Sequence, residues 1–365
     1  MMSKGHKIKI LLTIPNFDTA GSGKVVYDLV NGLDKTKFDV EIACAHNKGN
    51  FFETVEALGL PIHIFETKTA YRPYYSLLFR VLPISKFYKK NNYDIIHSWQ
   101  WSNDWTEAIA ARLAGKKWIY TKKAMGFNKH WKIKSYLAHF IITINNEMKK
   151  YFPNKKSQKL IPLGIDTDYY NAAQFEKNKS EFFEVITVAN LVPVKGVEVL
   201  IRAIHHLSDR KIKLNILGDN DNDYGKSVQE LCRELDMLDQ VVFHGKQLDV
   251  RPYIAKSDLY VIPTLDQGRK EGMPMALVEA MSMGIPILGS NITGINYVLK
   301  GFDELLFQAG DFQALANKLR LTRNLKKEER DEIGSALQTY CVNHFAMSTF
   351  IKAHEDLYTE LIIKK

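Results

Sequence analysis

The chain has 365 residues, 45% hydrophobic and 25% charged, a soluble globular composition long enough for two domains with separate cores. Its three cysteines, Cys44, Cys232 and Cys341, are odd in number and far apart, which excludes a disulfide framework or a cysteine zinc site and fits reduced thiols in a cytosolic setting. The net charge of +9 is unequally divided: residues 1–163 hold 26 Lys+Arg against 12 Asp+Glu, net +14, and the remainder 24 against 29, net −5.

A basic first half implies an anionic partner, a membrane surface or an acidic acceptor. Nucleic acid is disfavoured, since no zinc-finger or ribonucleoprotein signature is present. The start "MMSKGHKIKILLTIP" has the outline of a signal peptide, but its apolar run is broken by Lys9 and ends in Pro15 without a small-residue cleavage site. A first buried strand is the better reading. No window approaches the ~18 apolar residues of a spanning helix, so any membrane contact is expected from the surface.

Next, "DTAGSGKVVY" imitates the phosphate loop of an ATPase and fails twice. The motif wants Gly where Asp18 stands and Ser or Thr where Val25 stands. What remains is a strand, a turn at Gly21 and Gly23, and a helix spaced by Val25, Leu29 and Leu33. Such a turn either seats a phosphate or carboxylate at a helix N-terminus or simply lets helix pack on sheet. Lys24 is read as a helix-start lysine in solvent.

Strand-like runs then alternate with helical ones: "DVEIACA", "IHIFE", "DIIHSW", "KWIYTK" and "FIITIN". The segment "AYRPYYSLLFRVLPISKFYKKNNY", residues 70–93, holds seven aromatic and five basic residues and no acid. It reads equally as a membrane- or acceptor-facing element and as helices whose aromatics fill a core. "NKHWKIKSY" adds a second basic aromatic stretch. His97 in "DIIHSW" is a candidate catalytic histidine or a strand-end histidine bonded to protein.

After "IPLGIDTDYY", a candidate hinge, the alternation restarts with "FEVITVAN", "IKLNILGD", "VVFHG", "LYVIPT" and "IPILGS". Two parallel sheets with helices on both faces are expected, with ligands at the carboxyl ends of the strands. In "VANLVPVKG" a strand ends at Asn190 and Lys195 follows, a cation that can neutralise charge developing on a diphosphate. In "PTLDQGRKEGMPMALVEAMSMGIPILGS" a helix is predicted from near Pro274 to near Gly284. Its free amides can take phosphate oxygens, while Glu271 and Glu279 can accept from sugar hydroxyls.

Two patterns are decoys. "DNDNDYGKSVQE" spaces acids like a calcium loop, but glycine falls at position 7, as Gly225, and a strand rather than a helix leads in. His205 and His206 are adjacent on a helix and point apart. No metal is expected.

Taken together, the first strand and glycine turn, "DIIHSW", "PLGID", "VANLVPVKG", "ILGD", "VVFHG" and "EGMPMALVEAMSMGIPILGS" resemble the retaining nucleotide-sugar glycosyltransferases of family 4, glycosyl transferases group 1, over essentially the whole chain. The resemblance implies an α/β GT-B fold, two Rossmann-like domains facing across a cleft: residues 1–163 for the acceptor, 164–345 for the nucleotide sugar, and 346–365 as a helix crossing back to the first domain. It implies Lys195, Glu271 and His97 as catalytic residues. Donor contacts would come from Gly21, Gly23, Asn190, Lys195, Gly245, Lys246, the backbone of Gly272, Met273, Pro274 and Met275, the amides of Leu277 and Val278, and Glu279 at the ribose.

Two departures stand out. An arginine that the family commonly carries near Asn190 or Val192 is absent, with Lys246 or Arg269 and Lys270 as substitutes, and Trp99 replaces the second histidine of the family's H-x-H. The implied reaction is metal-independent retaining transfer of a hexosyl or N-acetylhexosaminyl group, without a cofactor, from a nucleotide-diphosphate sugar to a hydroxyl of a glycan or lipid-linked acceptor. It belongs to cell-surface polysaccharide, lipopolysaccharide or glycolipid synthesis, in the cytoplasm or peripherally on the inner face of the membrane. A GT-B sugar-nucleotide epimerase and a non-catalytic nucleotide-sugar-binding subunit are the alternatives.

Overall fold

The computed structural model describes residues 7–18, 20–176, 180–268 and 271–363. The chain forms two compact units, Met1–Gly164 with Met347–Lys365, and Ile165–Ala346.

The first unit begins with β1 (Ile8–Thr13), α1 (Ala20–Gly32), β2 (Phe38–Cys44), α2 (Phe52–Glu56), β3 (Ile62–Ile64), α3 (Leu77–Lys90) and β4 (Ile95–Ser98). It continues with α4 (Thr106–Leu113), β5 (Lys117–Lys122), α5 (Lys129–Leu137), β6 (Phe140–Thr143), α6 (Asn146–Lys149) and β7 (Gln158–Leu160). Every pairing is parallel, in the order β3-β2-β1-β4-β5-β6-β7. The central strands are apolar on both sides because helices cover both faces. Leu11, Ile96, Trp118, Tyr120 and Ile141 pack under Val81, Ile84 and Tyr88 of α3 and Trp131 of α5.

The second unit runs β8 (Phe183–Val188), α7 (Val197–Leu207), β9 (Ile212–Leu217), α8 (Asp223–Glu234), β10 (Val241–Phe243), α9 (Arg251–Lys256) and β11 (Leu259–Ile262). Then follow α10 (Met275–Ser282), β12 (Ile287–Ser290), α11 (Ile295–Val298), β13 (Leu306–Phe307), α12 (Phe312–Asn324) and α13 (Lys327–Phe345). Its parallel sheet is ordered β10-β9-β8-β11-β12-β13. On α7 the buried Val197, Leu200, Ile201 and Ile204 recur at one-turn spacing and close one face of that sheet.

The chain then returns to the first unit as α14 (Met347–Ile363). This helix buries Phe350, His354, Leu357 and Tyr358, a stripe at i, i+4, i+7 and i+8. It lies so close to α1 that a Cβ on Gly32 would stand 2.0 Å from the Ile351 Cδ1.

Three elements differ from the sequence reading. The edge strands β7 (QKL) and β13 (LF) carry three and two residues and, unlike the equally short β3 (IHI) and β10 (VVF), hold no β-branched residue to mark them. The glycine turn is not a separate loop, because Gly23 lies inside α1 and only Gly21 (φ −19°, ψ −106°) departs from helical geometry.

The aromatic side chains of segment 70–93 fill the core only in part. Tyr88 and Tyr93 are fully buried, whereas Tyr74, Tyr75 and Phe79 stand in solvent. All three cysteines are buried and unpaired, and burial pushes the Cys44 and Cys232 thiols up to about 11 and Cys341 up to about 12. Among the described residues, no helix is long and apolar enough to cross a membrane.

Candidate active site

In the second unit the strand order reverses between β8 and β11, since β9 and β10 lie to one side and β12 and β13 to the other. A doubly wound sheet opens a crevice at the carboxyl ends of the strands flanking such a point. A cavity of about 320 Å³ lies there. Thr187 to Asn190 at the end of β8, Leu217 to Asp219 at the end of β9, and Ile262 to Thr264 at the end of β11 form its floor.

Two glycines shape this floor. Gly218 (φ +154°) passes so near β8 that a Cβ would sit 1.9 Å from the Ala189 carbonyl oxygen. Gly196 (φ +62°) would place its Cβ 2.3 Å from the Pro263 oxygen. Only glycine permits both close approaches.

Lys195 ends a 3-10 turn, Pro193–Lys195, and its ammonium pairs with the Glu271 carboxylate across the cavity. The lysine is largely shielded and the glutamate more open. Pro274 is the N-cap of α10 and lines the cavity with Met275 and Ala276. The Leu277 and Val278 amides turn inward to the Pro274 oxygen, at 3.2 and 3.4 Å. Both side chains are buried, so the amides aimed outward at this helix end belong to Met275 and Ala276.

The expected residues are therefore unevenly placed. Asn190, Lys195, Lys246, Glu271, Pro274 and Met275 line the cavity. Gly245 supports it indirectly, its oxygen accepting from the Gly218 amide at 2.9 Å. Gly272 and Met273 are buried beside it without lining it. Of the substitutes for the absent arginine, Lys246 is on the cavity, and Arg269 and Lys270 lie outside the described residues.

Glu279 is on α10 beyond the cavity lining and interacts with Tyr170, whose phenol is held well above its ordinary value by burial and then by this carboxylate. Tyr260, buried beneath, is raised by burial and then by Glu279 and Glu271.

Several lining residues escaped sequence reasoning: Gly218, Asp219, Gln247 and Thr264. Thr264 lines the cavity but is 3% exposed, and its buried hydroxyl has no hydrogen-bond partner among the described residues. Its signal was available, since it follows the apolar run of β11 by two residues. The polar side chains of the decoy loop bond locally: Asn222 caps α8 by accepting from the Gly225 amide at 2.9 Å, and Asp219 accepts from the Asp221 amide.

Gly21, Gly23 and His97 belong to the first unit. His97 is fully buried, with Nδ1 2.7 Å from the Tyr358 hydroxyl and Nε2 2.8 Å from the Thr121 hydroxyl. Burial, His354 and Lys123 hold its pKa well below the usual histidine value. Lys24 forms an ion pair with Asp28 one turn on, at 2.8 Å.

Two doubly wound parallel units, the second with a cation, a carboxylate and a helix N-terminus gathered at its switch point, define an α/β protein of the GT-B class. The family comparison makes this specific. Residues 19–169 match the model "Glycosyltransferase Family 4", and residues 183–322 match "Glycosyl transferases group 1". The chain belongs to this glycosyltransferase family and is a glycosyltransferase.

Among its relatives is the UDP-Gal:alpha-D-GlcNAc-diphosphoundecaprenol alpha-1,3-galactosyltransferase of Escherichia coli, 25% identical over 78% of this chain and 80% of that protein. The capsular polysaccharide biosynthesis glycosyltransferase CapH of Staphylococcus aureus is 22% identical over 82% of this chain and 86% of that protein. A glycosyltransferase structure from Rickettsia africae superposes with a TM-score of 0.87 at 17% identity, covering 99% of this chain and 100% of that one. Anabaena HepE, solved with UDP and glucose, gives 0.78 at 18% identity over 97% and 100%. At these identities the structures speak for the fold alone.

Proposed function

We propose that this protein transfers a sugar, with retention of anomeric configuration, from a nucleotide-diphosphate sugar to a hydroxyl of a glycan or lipid-linked acceptor in cell-surface polysaccharide or glycolipid synthesis. The observation that carries this reading is the Lys195–Glu271 pair on a cavity that α10 enters with its N-terminus. A diphosphate entering there competes with Glu271 for Lys195. Lys195, Lys246 and the Met275 and Ala276 amides then carry the phosphate charge, which releases the Glu271 carboxylate to accept from sugar hydroxyls.

The acceptor oxygen bonds to the anomeric carbon on the face from which the diphosphate departs. As the carbon–oxygen bond to phosphate breaks, its electron pair stays with the phosphate, and the acceptor's proton passes to a phosphate oxygen. No carboxylate nucleophile is needed, and the largest contribution is stabilisation of the leaving group. Glu279 is assigned to the ribose. The reaction is metal-independent on this reading, and the enzyme works in the cytoplasm at the inner face of an anionic membrane; a relative named for a diphosphoundecaprenol-linked sugar supports the lipid-linked acceptor.

The test is transfer by the purified full chain from a panel of nucleotide sugars to lipid-linked and soluble glycan acceptors, with the product anomer read by NMR and a chelator present. An axial donor linkage preserved in the product supports the proposal. An inverted product overturns retention, and loss of transfer in chelator overturns metal independence.

A further inference from the structure

The first unit carries a surface that the donor site does not use. On α3 and the turn before it, Tyr75, Leu78, Phe79 and Leu82 are exposed, Tyr75 by 87% and Phe79 by 76%. They recur at i, i+3, i+4 and i+7, one outward stripe of a helix at ~100° per residue. The same stripe continues as Lys86 and Lys89, both exposed. Its first half is therefore apolar and its second half cationic.

The opposite face of α3, with Val81, Ile84 and Tyr88, is in the core, so the outward side chains are not available to fill it. The stripe is also held in place. Arg80 donates to the Ala70 and Pro73 carbonyls at 2.8 and 3.0 Å. The preceding segment is pinned by Thr67 to the buried Glu107, 2.8 Å, and by the Thr69 amide to the Thr106 hydroxyl, 3.0 Å.

A second stripe of the same make lies on α5, where Lys129, Lys132, Ile133 and Tyr136 are exposed at one-turn spacing, Tyr136 by 83%. α3 and α5 cover the same face of the sheet and flank α4, and Tyr71, just before α3, stands 4.9 Å from the His130 ring of α5. No acidic residue occurs in 67–93 or in 108–146.

We infer that the outward face of α3 and α5 is a docking surface for an anionic lipid bilayer, with the apolar half of the α3 stripe dipping below the headgroups and its lysines held at the phosphate level. Large apolar and aromatic side chains beside lysines, without acids, match an interface that is apolar within and negative at its surface. A second copy of this chain is the poorer occupant, because pairing two such faces would set lysines against lysines or against apolar side chains. The inference deepens the proposed acceptor reading, which places transfer at a membrane.

Co-sedimentation of the full chain with phosphatidylcholine vesicles, with and without phosphatidylglycerol, tests it. Binding is expected only with the anionic lipid and should weaken with salt. Lys86→Gln/Lys89→Gln/Lys90→Gln should lower the partition coefficient on the order of a hundredfold, and Tyr75→Ser/Leu78→Ser/Phe79→Ser should abolish stable binding. Equal binding to both vesicles, retention of binding in both variants, or a solution dimer that the serine variant dissociates would overturn the inference. Nucleoside-diphosphate binding measured on the same preparations separates the two ideas: lost vesicle binding with intact nucleotide binding sinks the docking surface alone, and the reverse sinks the donor site alone.

Discussion

Lys195 and His97 illustrate how differently two singled-out residues can be placed. Lys195 faces a cavity and a carboxylate, so its removal should act on chemistry rather than folding. Lys195→Ala is expected to lower the transfer rate by about 10²–10³-fold with an unchanged urea midpoint, and Glu279→Ala to lower it strongly as well. Full activity in both variants would dismiss the site. His97 was readable only as a strand-end histidine with two possible fates; its bonds to Thr121 and Tyr358 come from residues 24 and 261 positions away. His97→Ala leaves a cavity and two orphaned hydroxyls, and should destabilise the fold by about 2–4 kcal/mol in denaturant titrations.

At the scale of elements, α14 docks on the first unit through a histidine pair. His354 and His97 are fully buried and stack at 5.7 Å. Burial and then Lys159 bring His354 down to about 4, against a backbone bond to Phe350 that raises it. His97, with His354 and Lys123 facing it, is also well below 6.5. Both are thus neutral in the fold and protonate on unfolding below 6.5, so the unfolded state binds more protons. Their contribution is present above pH 6.5 and is lost as pH falls towards about 4. The melting temperature should decline through that window, and His354→Leu should flatten the decline.

The α10–α13 contact depends on a glycine in the same way that the cavity floor does. A Cβ on Gly334 would stand 2.0 Å from the Gly284 oxygen. Gly334→Ala and Gly218→Ala should each cost about 2 kcal/mol or more, because backbone rather than a flexible side chain must yield. At Gly115 (φ +68°) nothing lies within 4 Å of the added atom. There the cost should be only the ~1 kcal/mol of the backbone conformation, and urea midpoints of the three variants would show the contrast.

For the whole molecule, the proposed donor site predicts stabilisation by phosphate-bearing ligands. A nucleoside diphosphate at a hundredfold its Kd should add about 2.7 kcal/mol to the stability of the state that binds it, and the parent nucleoside without phosphates should add far less. A thermal-shift panel that ranks nucleosides and nucleoside diphosphates alike would refute a phosphate-centred site.

The sequence by itself determined the alternation of strands and helices, hence two doubly wound sheets, because apolar periodicity is a local property of the chain. It also determined the family through strings such as "EGMPMALVEAMSMGIPILGS", and the basic first half. Only the tertiary structure decided what depends on residues distant in the chain. It set Lys195 against Glu271, 76 positions on, buried the Thr264 hydroxyl beside the cavity, and sent His97 into the core. It also divided one aromatic segment, burying Tyr88 and Tyr93 while leaving Tyr75 and Phe79 in water, since helical phase shows that two faces differ, but the sheet beneath fixes which one is buried.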